Sequence, residues 1–221
     1  MSALAALRRN NPELTLLSLS ETPRHTLYQK ITADTAAFLA AAREIAPGEA
    51  NVYVARDERM SLSPAATCIA REVFGELPIQ AGWNHGGNDR MNGMEWHKSS
   101  EVIVACTDLV LLLGSHADIE SGAYDSARAF GLYLEQGEAV ELYPFTLHLA
   151  PLPVFGGRFI AAILLPEGTN LPLAGGIDGT LRAVNKWLLV HPDNARGIAL
   201  GGKIGVRGEN IRLLGLKEQQ V

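Results

Sequence analysis

The sequence predicts a mainly β protein that begins with a helical segment. Its 22 glycines and 11 prolines are scattered along 221 residues, and this distribution indicates many turns. From residue 77 onward, short apolar segments alternate with turn-forming pairs such as Gly114-Ser115 and Gly156-Gly157. Short strands at close spacing are typical of a β-sandwich or barrel, and they argue against a repeating βαβ sheet.

The clearest helical segment lies in residues 24–46. Residues 36–45 are rich in alanine and other strong helix formers. Thr32 or Asp34 could cap this helix at its start. Pro47-Gly48 would then end it.

A short strand at residues 51–55 and a second helix at residues 64–73 complete the predicted N-terminal part. We expect residues 1–76 to form an extension of helices and strands that packs on a barrel made by residues 77–221. A chain of this length suits one compact domain overall. The strands predicted in the barrel are residues 77–82, 91–97, 101–106, 108–113, 128–134, 138–143, 146–149, 158–165 and 185–191.

The composition excludes several classes of partner. Hydrophobic residues make up 47% of the chain and charged residues 19%, which is enough apolar material for a substantial core. The net charge of −5 leaves no basic footprint for nucleic acid. Arg8 and Arg9 follow a very short apolar patch, which is the wrong order for a secretory signal, and no apolar run could cross a bilayer. We therefore expect a cytoplasmic protein without membrane contact.

Two cysteines are too few for a disulfide scaffold. Cys68 and Cys106 lie far apart and form no CxxC pair, so a thiol-based zinc site is not expected. We interpret both as reduced core residues.

Three polar residues crowd together just before a β-branched run. Glu95 and His97 are two apart, so on an extended strand they share a face, whereas Trp96 would point into packing. We interpret Lys98-Ser99-Ser100 as a hairpin connection. Across it, the Cβ atoms of His97 and Glu101 would lie about 5 Å apart, which would bring the three polar side chains together.

These segments resemble cupins, which are barrel proteins with two signature segments. The first signature is His-x-His followed by Glu, and Glu95-x-His97-x-x-x-Glu101 resembles it with Glu in place of the first His. The second runs from Gly through Pro to His, and Gly137 through Pro144 to His148 resembles it without the usual Gly between Pro and His. The glycine that commonly follows the motif Glu is delayed to Gly114.

More closely, residues 77–191 are similar to an uncharacterised cupin-like family known as a domain of unknown function. That similarity rests on Gly82-Trp83-Asn84, Glu95-Trp96-His97 with Glu101, residues 107–114, Thr146-Leu147-His148 and Asn185-Lys186-Trp187.

The resemblance implies a double-stranded β-helix barrel that holds a divalent metal ion. Two carboxylates and two imidazoles suit Zn, Mn, Ni or Fe, with one or two positions left for water or substrate. The predicted ligands are Glu95, His97, Glu101 and His148. The alternative is that the two carboxylates are solvated hairpin residues, one of them paired with the first imidazole.

Several residues are candidates for work on the substrate. Glu101 or Glu95 is the predicted general base if one of them is not a ligand. His85 is the next candidate because it lies in a loop rich in Gly and Asn and histidine titrates near neutral pH. Lys186 and Arg158 could bind a substrate carboxylate or phosphate. The alternatives are a surface loop histidine and two solvated cations.

Cupins with such sites include sugar isomerases, epimerases and lyases that act on small hydroxy acids, and ureidoglycolate lyase is a distant relative by fold. We therefore expect an isomerase or lyase that uses a divalent metal and removes a proton next to a carbonyl of a small sugar or hydroxy acid. The rival hypotheses are a non-catalytic small-ligand-binding cupin and an Fe(II) dioxygenase. We also expect a homodimer, because such barrels commonly cover their sheet edges by pairing.

Overall fold

The computed structural model describes residues 2–45, 50–177 and 179–217. Across these residues the chain is mainly β with helices in its N-terminal part, as predicted. The helices are α1 (Ala3–Asn10), α2 (Ala36–Arg43), α3 (Glu58–Ser61), α4 (Pro64–Phe74) and α5 (Ala195–Ala199). The strands are β1 (Leu16–Ser18), β2 (Tyr28–Ile31), β3 (Val52–Val54), β4 (Ile79–Gly86), β5 (Gly93–Trp96), β6 (Glu101–Ala105), β7 (Leu109–Ser115), β8 (Tyr124–Asp125), β9 (Phe130–Leu134), β10 (Ala139–Leu142), β11 (Thr146–Leu147), β12 (Leu152–Pro153), β13 (Phe159–Pro166), β14 (Leu181–Ala183), β15 (Lys186–Val190), β16 (Lys203–Ile204) and β17 (Val206–Arg207).

The largest sheet has six antiparallel strands in the order β2-β10-β6-β13-β4-β3. The strand β6 lies near its centre, between β10 and β13, and every residue of β6 is buried. Its β-branched run suits a strand that is covered on both faces. Two members of this sheet, β2 and β3, come from the residues before 77.

A second sheet shares an apolar core with the first. Its strand order is β1-β9-β7-β11, and β12 also pairs with β7. Alternate leucines of β7, Leu109, Leu111 and Leu113, lie in one buried cluster with Ile103 of β6 and Ile163 of β13. Because strand side chains alternate between faces, these odd-numbered positions form the core between the two sheets.

Helices α2, α3 and α4 cover the outer face of the six-stranded sheet. Phe38 of α2 and Ile69 of α4 are fully buried in a cluster with Val104 of β6. The ends of α4 are specified locally: the Ser63 hydroxyl accepts the Ala66 N–H, and Gly75 ends the helix at a φ of 59°. A left-handed residue at this position is a common helix stop that favours glycine.

The other face of the five-stranded sheet packs against α1 and a four-stranded sheet. In this smaller sheet β15 pairs with β5, β14 and β16. Leu7 of α1, Val110 of β7 and Trp96 of β5 share one buried cluster. Trp96 therefore points into packing, as its position between Glu95 and His97 predicted.

Each strand predicted after residue 77 overlaps an observed strand, but the predicted hairpin is wrong. The strand β5 pairs with β15, whereas β6 pairs with β10 and β13. Residues 97–100 therefore connect two different sheets instead of turning the chain back on itself. Alternation along one strand is a local property, whereas the choice of partner strand is set by packing across the molecule.

The predictions for the N-terminal part hold only in part. Within residues 24–46 the segment Tyr28–Ile31 is a strand, and the helix begins at Ala36. Asp34 Oδ1 accepts the Ala36 N–H at 3.0 Å, while Pro47-Gly48 lies outside the described residues. The predicted strand at residues 51–55 and the predicted helix at residues 64–73 match β3 and α4. The helix α1 was not predicted. The division of the chain after residue 76 stays a prediction.

The two cysteines differ in their surroundings. Both are free, but Cys106 is buried and Cys68 is exposed on α4, so the expectation of a core residue was wrong for Cys68. Within the part of the chain described, no helix has both the length and the apolar character needed to span a membrane.

Candidate metal centre

The four predicted metal ligands converge although they come from different sheets. Glu95 lies in β5, His97 follows that strand directly, Glu101 is the first residue of β6, and His148 follows β11. Glu95 and His148 form an isolated antiparallel bridge, in which the Glu95 N–H donates to the His148 carbonyl at 2.6 Å and the reverse bond measures 2.9 Å. This backbone pairing holds two of the four side chains next to each other.

The distances from the two imidazole nitrogens to the carboxylate oxygens suit a common ion. Glu101 Oε2 lies 3.1 Å from His97 Nε2 and 2.9 Å from His148 Nε2. Glu95 Oε1 lies 3.9 Å and 3.8 Å from the same two nitrogens. Ligands about 2.1 Å from one ion lie about 3.0 Å apart at a right angle and about 4.2 Å apart when opposite. Glu95, His97 and His148 thus form a buried cluster that could hold a metal ion.

Both imidazoles are oriented so that Nε2 faces this cluster. His97 Nδ1 donates to the Asn185 carbonyl at 2.6 Å, and His148 Nδ1 donates to the Thr146 carbonyl at 2.9 Å. Such bonds fix the tautomer and ring orientation of metal-binding histidines. Among the described residues, His97 Nε2 is buried and makes no well-aligned hydrogen bond, although Glu101 Oε2 lies 3.1 Å away. A buried nitrogen left in this state is what a bound cation would satisfy.

The buried carboxylates are held in their ionised form. Burial by itself would raise the pKa of Glu101, but His148 and His97 outweigh it and hold that pKa below its usual range. Burial also opposes ionisation of Glu95, and Lys186 with the two histidines lowers its pKa in the same way. Burial lowers the pKa of His148, but Glu101 and Glu95 raise it overall to about 9 in the metal-free chain. The site therefore holds two ionised carboxylates, and a bound cation would replace the proton of His148 as their partner.

Lys186, predicted to bind substrate, lies in this site and contacts Glu95. Its Nζ forms an ion pair with Glu95 Oε2, while Glu95 Oε1 faces the imidazoles. Leu188 lies opposite Glu95 in the β5–β15 register, so Lys186 is a diagonal neighbour within reach of a long side chain. The ion pair orients the Glu95 carboxylate.

Asn185 stabilises the segment that carries His97 through hydrogen bonds. Besides the carbonyl that accepts from His97, its Oδ1 accepts the Lys98 N–H at 3.0 Å. Its Nδ2 donates to Ser99 Oγ at 2.8 Å and to Thr169 Oγ1 at 3.3 Å. The residue has a φ of 56°, a left-handed conformation that asparagine tolerates better than most residues. The connection between the two sheets is thereby fixed.

The ligands open into a cavity of about 160 Å³. Its apolar wall includes Ile103, Ile163 and Leu165, and its polar wall includes Tyr53, Asn84 and Asn170. The polar wall was not predicted. Tyr53 and Asn84 are directly paired across β3 and β4, and Tyr53 falls within the predicted strand 51–55, so the alternation of polar residues was the available signal.

Tyr53 keeps its proton at neutral pH. Desolvation of the hydroxyl is the main cause that raises its pKa to about 12, and the charges of Glu101 and Glu95 add to this effect, whereas hydrogen bonds with Asn170 and Gln80 oppose it. The Tyr53 hydroxyl is therefore a hydrogen-bond donor on the cavity wall.

Two predicted site residues are not brought to the cavity. His85 follows Asn84 on β4, so its side chain points to the opposite face of the sheet, where its ring stacks on Trp83 at 5.3 Å. Arg158 is exposed beside the turn at Gly156-Gly157 and does not line the cavity. A proposed role of His85 as a base, or of Arg158 as a substrate-binding cation, has no support from this geometry.

The sequence matches the model of a protein family over residues 25–211. The family is described as a domain of unknown function, DUF4867. The chain belongs to this family. No curated protein is significantly similar to the chain.

Several solved structures share a distant likeness with the fold. Procruciferin, an 11S globulin from Brassica napus, matches with a TM-score of 0.34 and 10% identity over 66% of this chain and 28% of its own. A mutant of Bacillus subtilis oxalate decarboxylase matches with a TM-score of 0.33 and 8% identity over 55% of this chain and 26% of its own. The matches span about a quarter of the length of each structure. At these scores the likeness carries no inference about function.

Proposed function

We propose that this chain is a cupin-like, metal-dependent enzyme that removes a proton next to a carbonyl of a small sugar or hydroxy acid, as an isomerase or a lyase. The observation that carries the proposal is the convergence of Glu95, His97, Glu101 and His148 at one buried point with both Nε2 atoms turned inward. The proposed metal is Zn, Mn, Ni or Fe. The double-stranded β-helix barrel, a cytoplasmic location and a homodimer are parts of the same proposal.

The residues of the cavity have distinct roles in this mechanism. A divalent cation held by the cluster would polarise the substrate carbonyl and acidify the neighbouring C–H. In this mechanism Glu95, His97 and His148 would hold the ion, and Glu101, ionised and buried, takes the proton from that carbon. Return of this proton to the adjacent carbon completes an isomerisation. Loss of a leaving group from the adjacent carbon completes a lyase reaction instead. Tyr53 donates a hydrogen bond from the cavity wall, and Lys186 keeps Glu95 in place.

Metal binding is tested with a matched pair of histidine variants. His148→Gln removes one imidazole from the cluster, whereas His85→Gln makes the same change at a buried imidazole on the other face of the sheet. We expect His148→Gln to lose most of the metal bound by the purified chain, measured by elemental analysis, and His85→Gln to keep it. Equal metal content in folded samples of both variants would contradict the assignment.

Proton removal is tested by exchange in D₂O. The metal-loaded chain is incubated with small hydroxy acids and sugars, and loss of the C–H signal is followed by NMR. We expect Glu101→Gln to abolish exchange and Glu138→Gln to retain it, because Glu138 pairs with Lys30 away from the cavity. Ligand binding without any exchange would favour the non-catalytic binding protein instead.

An Fe(II) dioxygenase is the second candidate, and the composition of the cluster favours it. Glu95, His97 and His148 are two imidazoles and one carboxylate, the set that non-haem Fe(II) oxygenases use with open positions. Bound iron together with substrate-dependent oxygen uptake would select this candidate. Zinc, manganese or nickel with proton exchange would select the isomerase or lyase.

A further inference from the structure

We propose that this cavity selects a small α-hydroxy monocarboxylate and rejects sugars. The inference rests on the proposed metal centre and narrows its substrate class. Three independent features of the cavity carry it: its volume, the balance of charge on its wall, and one buried acceptor that has no partner.

The volume of the cavity favours a substrate of a few atoms. The cavity measures about 160 Å³, and a water molecule occupies about 30 Å³ in the liquid. This space holds about five or six non-hydrogen atoms, so the part of a ligand that reaches the site is small. An aldohexose has about twice that number and would extend into the mouth of the cavity. Ile103, Ile163 and Leu165 form part of this wall and also belong to the buried core between the sheets. The side chains of a close-packed core cannot move apart to admit a larger ligand.

The charged side chains of the cavity wall favour a ligand with a single negative charge. Among the described residues that line the cavity, the charged side chains are Glu95, Glu101 and Lys186. The imidazoles are neutral when Nδ1 donates to a carbonyl and Nε2 binds an ion. Two carboxylates then balance a divalent ion, and Lys186 leaves one positive charge. A monoanion neutralises this charge, whereas a neutral sugar leaves it uncompensated and a dianion exceeds it.

The unpaired acceptor selects a hydroxyl group. Asn170 Oδ1 lines the cavity and, among the described residues, is buried without a hydrogen-bond partner. A carboxylate cannot donate to it, but a hydroxyl on the same small molecule can. Because an unpaired buried acceptor is costly, the site discriminates against an analogue that lacks the hydroxyl.

The test uses three ligands with the same three-carbon skeleton and a sugar. Lactate carries both the charge and the hydroxyl, propionate lacks the hydroxyl, and propane-1,2-diol lacks the charge. Each is titrated calorimetrically into the full chain loaded with Mn²⁺, and glucose is added as a competitor. We expect lactate to bind at least about tenfold more tightly than either analogue, and we expect glucose not to compete.

A variant at the acceptor separates a hydrogen bond from general fit. Asn170 has a φ of 71°, which glycine adopts without strain, so Asn170→Gly removes the acceptor and keeps the backbone. We expect the preference for lactate over propionate to fall to about twofold or less, with Mn²⁺ affinity unchanged.

The outcomes distinguish this inference from the proposed function. A folded chain that takes up no Mn²⁺ overturns the metal centre, and the inference falls with it. A loaded chain that binds glucose or the diol as tightly as lactate overturns the substrate class alone. Retention of the full preference for lactate in Asn170→Gly does the same.

Discussion

Replacing Asn185 should weaken metal binding although this residue is not itself a predicted ligand. Asn185→Gly removes three side-chain hydrogen bonds, of 2.8, 3.0 and 3.3 Å, and leaves the carbonyl that accepts from His97. At about 1 kcal/mol for each of the two shorter bonds, we expect the free energy of unfolding to fall by about 2 kcal/mol. Loss of groups that orient a metal-binding histidine commonly costs 10- to 100-fold in affinity. Because the carbonyl remains, we expect about tenfold.

A comparison of glycine with alanine isolates the effect of the backbone conformation. Asn185→Ala loses the same side-chain contacts, but its φ of 56° is costly for a residue with a Cβ. We expect about 1 kcal/mol of additional destabilisation relative to Asn185→Gly. Urea denaturation followed by circular dichroism measures the stability of each variant. Calorimetric titration with Mn²⁺ measures the affinity.

Asn92→Gly is the matched control. Asn92 also has a left-handed φ, of 57°, and its side chain bonds to Asn88 and Asn210 away from the cavity. This variant should lose stability to a similar extent without a change in metal affinity. If Asn185→Gly loses no more affinity for Mn²⁺ than Asn92→Gly does, then Asn185 stabilises the fold and does not position His97.

Three further predictions concern stability, thiol chemistry and assembly. Hydrogen bonds from Arg59 lower the pKa of Asp57 from 3.8 to about 2, so the stabilisation by its carboxylate is present above about pH 4 and is lost as the pH falls through the folded-state pKa. In thermal melts, Asp57→Asn should therefore be less stable than the parent chain at pH 7, with a difference that shrinks below pH 4; a constant difference would refute this. Burial raises the pKa of Cys106 to about 12, while Cys68 is exposed. Iodoacetamide at pH 8 should therefore add one label to the native chain, measured by mass spectrometry, and two labels would contradict this prediction. Light scattering should find a homodimer of about 47 kDa, twice the chain mass of 23.7 kDa; a 24-kDa species at micromolar concentration would rule the dimer out.

Alternation along individual strands was enough to locate part of the candidate site. Glu95 and His97 share a face because they are two residues apart on an extended chain, and Trp96 points the other way for the same reason. The same alternation determines which residues of β4 share a face. Asn84 lines the cavity there, so its neighbour His85 had to face the helices.

Pairing between remote strands could not be read from local pattern. The connection Lys98-Ser99-Ser100 has the composition of a hairpin turn, yet Asn185 holds its first two residues while the chain crosses between sheets. Ser100 is held by a different strand, because its hydroxyl donates to Glu141 Oε1 at 2.6 Å. These partners are more than 40 residues away along the sequence, so no local pattern could reveal them.

The sequence by itself determined the mainly β class and the approximate positions of the later strands, because both depend on short-range alternation and turn chemistry. The same alternation brought Glu95 and His97 to one face, whereas Glu101 and His148 were identified through the resemblance to the cupin signature segments. Only the tertiary structure decided which strands pair, that Lys186 holds Glu95, and that Tyr53, Asn84 and Asn170 close the cavity. Those contacts join segments far apart in the chain, and the packing of two sheets around one apolar core selects among the many pairings that local patterns allow.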